Sequence, residues 1–189
     1  MAPRTPARDR LLDAAATRFY ADGVTATGID TITAEAGVAK MSLYNNFASK
    51  GDLVAAYLER RHEEWLGLYA ARREGAAGPR ERVLAVVDAY VDHAEGAYAH
   101  GFRGCGLLNA AAELPVGDPG RAVVRRHKEH VERLVADDLA ELIDAAAAAD
   151  LAEHIAFVLE GATVRAGLES DPARLQHARR LVEQLLDAA

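Results

Sequence analysis

Cysteine is almost absent: Cys105 is the only one in 189 residues. No intrachain disulfide can form, and a reducing compartment is the simplest setting. No apolar run approaches the roughly 18 residues of a membrane span. The opening MAPRTPARDR lacks the apolar core of a secretory signal. These absences point to a cytoplasmic protein with no membrane partner. Sustained apolar–polar alternation rich in β-branched residues is also missing, which argues against a sheet. No nucleophile motif, phosphate-binding glycine loop or complete set of metal ligands is present, so a small helical enzyme has little to work with, and no cofactor is expected. A net charge of −7 excludes a protein that coats nucleic acid with its whole surface.

What remains is helix. Alanine, leucine, arginine and glutamate dominate, and almost every segment has helical period, so the chain reads as all-α with about nine helices. Thr5-Pro6 starts the first helix, Leu11, Leu12, Ala15 and Phe19 form its stripe, and Gly23 stops it. Thr27 is placed to cap the second, with Asp30 three positions later, and Ile29, Ile32 and Ala36 form its buried face. Gly37 makes a tight turn. Val38, Leu43 and Phe47 are the apolar positions of a third short helix. Ser49 caps a long fourth helix whose stripe runs Leu53, Tyr57, Leu58, Trp65 and Tyr69. GAAGP at 75–79 is a break. Further helices are expected at about 80–99, 103–114, 119–146, 151–168 and 172–187, with the alanine run 145–149 ending the third of these.

The stretch from Thr27 to Leu53 carries the functional information. Ile32, Ala36, Val38, Leu43 and Phe47 can lock two short helices across the Gly37 turn. The second of them presents Lys40, Ser42, Tyr44, Asn45 and Asn46 outward. A helix-turn-helix needs this arrangement to place its second helix in the major groove. Lys40, Lys50, the Tyr44 hydroxyl and the backbone N–H groups beside Thr27 suit phosphates. Asn45 suits an adenine edge, and Met41 a thymine methyl. The competing reading is a helical hairpin with a solvated polar face. Residues 1–52 balance six basic against six acidic side chains, so the acidic excess lies in the rest of the chain.

The order Ala36-Gly37-Val38-Ala39-Lys40-Met41-Ser42-Leu43-Tyr44-Asn45-Asn46-Phe47-Ala48-Ser49-Lys50 resembles the tetracycline-repressor (TetR) family. Leu11 to Gly23 and Ala26 to Ile32 resemble that family's first two helices. The resemblance covers about residues 8–58. It implies a dimeric, all-helical transcription regulator, usually a repressor. Residues 1–50 would be the DNA-binding domain, and residues 51–189 the ligand-binding and dimerisation domain. By this resemblance Thr27, Lys40, Met41, Ser42, Tyr44, Asn45, Asn46 and Lys50 fall where family members contact DNA. The implied partners are a pseudo-palindromic operator, a small-molecule effector and a second copy of the chain. Four positions depart from the pattern. Ala39 stands where a capping serine is common, Asn46 replaces a frequent histidine, Met41 a frequent glycine, and Asp30 a basic contact residue.

The segment Phe102 to Pro115 resembles a pocket-lining helix in one broad branch of the family. Candidate ligand-facing residues are Trp65, Tyr69, Tyr90, His93, Phe102 and Cys105, together with Leu108, Asn109, His130, Phe157 and Glu160. For each, ordinary core is the alternative. His127 and His130 share one helical face and could bind a metal with Glu160 or His93, which would make a metal-responsive regulator or a metal-dependent enzyme. The alternative is a pair of histidines on a charged helix. Cys105 reads as a small buried hydrophobe. For the dimer, Leu151, Ile155, Val158, Leu159, Ala162 and Leu168 make one stripe, and Leu175, Ala178, Leu181, Val182 and Leu185 another. Two such helices per subunit would build a four-helix interface.

Overall fold

The computed structural model describes residues 5–96 and 101–189. Among these, nine α-helices make up the regular structure: α1 Ala7–Asp22, α2 Ile29–Glu35, α3 Lys40–Asn46, α4 Lys50–Arg73, α5 Pro79–Glu95, α6 Gly106–Glu113, α7 Pro119–Leu139, α8 Ala145–Glu169 and α9 Ala173–Ala188. No helix among the described residues is long and apolar enough to cross a membrane. The all-α expectation holds. Positions 97–99 of the helix expected at 80–99 lie outside the described residues.

Local chemistry explains several boundaries. Ser49 Oγ accepts the Asp52 N–H at 3.0 Å at the start of α4, the cap its sequence promised. Pro79 fills the first position of α5, where its missing N–H costs nothing. Two expectations fail. The alanine run 145–149 begins α8 instead of ending α7, because Asp144 Oδ1 accepts the N–H groups of Ala146 and Ala147, both at 3.1 Å. With that cap in place the best helix-forming residue propagates forward. Thr27 does not cap α2. The helix begins at Ile29 behind Gly28, with no side-chain cap. The Thr27 hydroxyl turns inward and donates to the Gly23 carbonyl at 2.6 Å.

The chain divides into two compact units, Met1–Arg61 with Gly106–Val124, and His62–Cys105 with Arg125–Ala189. The boundary expected at residue 50 thus falls inside the first unit, which also takes in α6. In that unit α1 packs on α2, α3 and α6, and α2 on α3. Leu11, Ile32, Leu43, Leu53 and Leu58 are wholly buried, each contributing about 1.5–3 kcal/mol. In the second unit α8, α9 and α5 pack together over Val83, Val86, Ile155, Leu159, Leu175 and Val182. Asp138 is buried there at 2% exposure. Its carboxylate accepts Arg73 Nη1 at 2.8 Å and Arg82 Nε at 2.5 Å, which satisfies a charge that would otherwise be costly to bury.

Candidate functional site

The helix-turn-helix is held from both sides. On the inside, Leu43 of α3 and Phe47 just after it are buried with Ile32 of α2. At the turn, Gly37 takes φ +60°, a left-handed conformation that favours glycine. Arg10 of α1 donates through Nη1 to the Ala36 carbonyl at 2.9 Å and the Gly37 carbonyl at 3.2 Å. It thereby satisfies carbonyls that the end of α2 leaves open. Ala39 precedes α3 with no side-chain cap, as its sequence foretold.

On the outside, Met41 is 69% exposed and Tyr44 48%. Lys40, Asn45 and Asn46 are also exposed, and Ser42 half-buried. Asn46 Nδ2 donates back to the Ser42 carbonyl at 2.7 Å. Lys40 Nζ pairs with Asp30 Oδ1 at 2.8 Å, and that hydrogen bond and charge hold the ammonium above its ordinary range. Lys50 Nζ donates to the Thr25 carbonyl at 3.5 Å. Thr27 does not belong to this surface. It is buried at 3% exposure, and its hydroxyl is committed to the Gly23 and Arg18 carbonyls.

Glu113, at the end of α6, completes the first unit in a way its sequence position hides. Its carboxylate accepts the Val24 N–H at 3.1 Å and the Thr25 N–H at 2.7 Å, just ahead of α2. Burial pushes this carboxyl up, but the Thr25 and Val24 hydrogen bonds and the charge of Lys50 outweigh it and hold it below its ordinary value. A folded value below the unfolded one gives stability that is present above the unfolded pKa and is lost as pH falls through the folded pKa. Glu113→Gln is therefore expected to cost about 1 kcal/mol near neutral pH, the scale of a partly exposed charge-assisted bond. The cost should fade in acid. Melting curves at pH 7 and in acid check this, and an equal loss at both would count against it.

The second unit gathers many of the ligand candidates. Trp65, Tyr69, Tyr90, Phe102 and Cys105 are all buried. The Trp65 ring stacks on Tyr69, centroids 5.7 Å apart, and lies 5.4 Å from Tyr90. His93 meets Phe102 edge-on. Lys128 Nζ pairs with Glu160 Oε1 at 2.6 Å and reaches the Tyr90 hydroxyl at 3.5 Å. Burial pushes that hydroxyl up to about 12. Two candidates lie elsewhere: Leu108 and Asn109 are in the first unit. Phe157 is 63% exposed on α8 and faces solvent, because the inward positions of that turn are Ile155 and Leu159.

His127 and His130, read from the sequence either as metal ligands or as histidines on a charged helix, lie in different surroundings. His127 is buried and its Nδ1 lies 2.8 Å from His62 Nδ1, so one ring donates and the other accepts. Burial and the nearby charges of Lys128 and His62 push His127 down to about 2. Burial with His62 also lowers half-buried His130. Among the described residues no three His, Cys, Asp or Glu side chains are grouped to hold a metal. Sequence reasoning passed over Arg10, His62, Lys128 and Glu113. Their partners lie 26 to 89 residues away in the chain, or, for Lys128, on another helix, and no local pattern marks them.

The two stripes expected at a dimer interface divide between core and surface. Ile155, Leu159, Leu175, Ala178 and Val182 are buried within the chain itself, and Val158, Ala162 and Leu185 are half-buried against the same core. Leu151 and Leu185 line an open cleft of about 520 Å³ near the start of α8. The exposed apolar face of α8 is Leu168 of the expected stripe together with Phe157 and Val164, with Gly161 between them. Leu181 is exposed on α9.

The family of bacterial regulatory proteins of the tetR type matches residues 11–57, and a tetracyclin repressor-like C-terminal domain matches residues 79–182. A TetR-family transcriptional regulator of Streptomyces coelicolor superposes with a TM-score of 0.87 at 33% identity, covering 96% of this chain and 95% of that one. A regulator of Streptomyces avermitilis described as a TetR-type protein gives 0.76 at 29% identity, over 95% and 99%. The transcriptional activator FasR of Mycolicibacterium smegmatis is 36% identical over 93 residues, 49% of this chain and 42% of its own. The repressor KstR2 of the same organism is 39% identical over 89 residues, 44% and 43%. The chain thus spans less than half the length of these two relatives. Two matching domains in order, over a helix-turn-helix built as described, place the chain in the TetR family of bacterial regulatory proteins.

Proposed function

We propose that this protein is a cytoplasmic, DNA-binding transcriptional regulator. In this reading it is a homodimeric repressor that a small-molecule effector releases from a pseudo-palindromic operator on the nucleoid. The observation that carries it is α3. Seven residues long, it buries Leu43 and leaves Met41, Tyr44, Asn45 and Lys40 outward on a rigid support. Met41 and Asn45 are assigned to base edges, and Lys40 and Tyr44 to phosphates. The second unit, with its aromatic core and a few placed polar groups, suits the effector. The effector can act only through its difference in affinity between the DNA-competent and DNA-incompetent states.

The Lys40–Asp30 pair makes the test two-sided. Lys40→Ala removes a phosphate contact and also frees Asp30 to repel the backbone. Asp30→Ala releases Lys40 for phosphate. In mobility-shift titrations on DNA recovered by selection from random sequence, Lys40→Ala and Tyr44→Ala are expected to weaken binding by about tenfold or more. Asp30→Ala should tighten it and steepen its salt dependence by about one ion. Indifference of the shift to all three changes would remove α3 from the interface.

A further inference from the structure

The second unit contains two buried polar atoms that the fold does not use, on residues gathered round one phenol. Trp65 is 3% exposed, and its Nε1 donates to nothing among the described residues. Glu160 Oε2 is itself shielded from solvent and accepts nothing there, although its side chain is 32% exposed and Oε1 of the same carboxylate holds Lys128. Trp65 reaches Tyr90 ring to ring, and Glu160 reaches it through Lys128. A buried donor and a buried acceptor left open in one region call for complementary groups from outside the chain. The donor needs an acceptor, and the acceptor needs a hydroxyl or N–H.

Charge narrows the chemistry further. Lys128 and Glu160 offset each other. His127 stays neutral, and Arg73 is engaged by Asp138. An anionic or cationic ligand would enter a buried region whose charges are already matched, at a desolvation cost with no new partner. Trp65, parallel to Tyr69 within 9° and packed against Tyr90, makes the surroundings of these atoms aromatic, which favours a further planar ring.

We propose that the effector is an uncharged, planar aryl molecule bearing both a carbonyl-type acceptor, bound by Trp65 Nε1, and a hydroxyl or N–H donor, bound by Glu160 Oε2. Hydroxyaryl ketones are the simplest such class. This rests on the second unit being the effector domain. Trp65 is the single tryptophan, so its emission reports from the site itself.

The test titrates the full chain with four probes on one ring system: hydroxyacetonaphthone, acetonaphthone, naphthol and hydroxynaphthoate. Tryptophan quenching and calorimetry are read together. Hydroxyacetonaphthone is expected to bind about tenfold tighter than either neutral probe lacking one group, and tighter than the anion by at least as much. In Trp65→Phe, followed by calorimetry, the advantage of hydroxyacetonaphthone over naphthol should vanish. Equal binding of the three neutral probes overturns the proposal, because it means water alone meets these atoms. So does preference for the anion, or no binding of any probe up to about 1 mM. The wild-type series decides the matter even if Trp65→Phe folds poorly. Operator binding on the same preparation separates the two readings. An intact shift without probe preference sinks this inference alone, whereas probe preference without any shift sinks the regulator reading alone.

Discussion

Phe157→Glu combined with Leu168→Glu is expected to leave a monomer of 20.2 kDa in sedimentation velocity, where the proposed homodimer would have twice that mass. Phe157 and Leu168 are 63% and 77% exposed on α8, with Val164 at 49% between them and Leu181 at 38% on α9. The spacing 157, 161, 164, 168 keeps them on one helical face. Gly161 adds no side chain to that face, and nothing lies within 4 Å of where a Cβ would be, so a second helix could approach closely. Large apolar side chains clustered in the open mark an interaction surface. A carboxylate at each end of the stripe would have to be desolvated on pairing. Because two heads on one operator act through their mutual effective concentration, the monomer should lose more than about 100-fold in operator affinity. Ile155→Glu would unfold the chain instead, since that residue is wholly buried in the core. A variant that stays dimeric with both glutamates in place would move the interface off this face.

Gly167→Ala is expected to give the largest loss of stability for the smallest change in volume. A Cβ at position 167 would fall 2.6 Å from the Arg103 carbonyl carbon and 2.7 Å from Gly104 Cα. These are backbone atoms and cannot rotate away. Gly104 holds φ +86°, and a Cβ there would in turn stand 3.5 Å from the Thr163 carbonyl oxygen. The two glycines therefore let a backbone turn lie directly on α8. Separating them costs about 3 kcal/mol, the upper end for overpacking, or roughly 6–12 °C in Tm for a chain of this size. Calorimetry on Gly167→Ala beside Gly67→Ala on α4, which meets open space, isolates the effect. Equal melting temperatures for the two would refute it.

Helix identity and the helix-turn-helix itself were legible because their determinants are local. Periodic apolar residues, Ser49 as a cap, Pro79 at a first turn and Gly37 at a left-handed turn act within a few residues of themselves. What escaped depends on partners elsewhere. The alanine run 145–149 has helical propensity in both directions, and only the Asp144 cap decides which helix owns it. Thr27 has the chemistry of a cap or a phosphate ligand, but the Gly23 carbonyl takes its hydroxyl first. On α8 the apolar residues are so dense that two stripes can be drawn, one through Ile155 and Leu159 and the other through Phe157 and Leu168. Periodicity alone does not say which faces inward. Arg10 and Glu113 read as ordinary surface charges until the fold brings backbone groups to them.

The pairing of Lys40 with Asp30 bears on how such a protein finds its target. A genome offers about 10⁶–10⁹ competing random sites, and affinity for these comes almost wholly from unpaired cations meeting phosphate. In the proposed interface the lysine of α3 is already paired with Asp30, and residues 1–52 carry no net charge. Random DNA therefore gains little from the encounter and is left quickly. Only a sequence whose base contacts repay the opening of that pair would retain the protein, so the carboxylate that weakens every contact also lowers the time wasted on wrong ones.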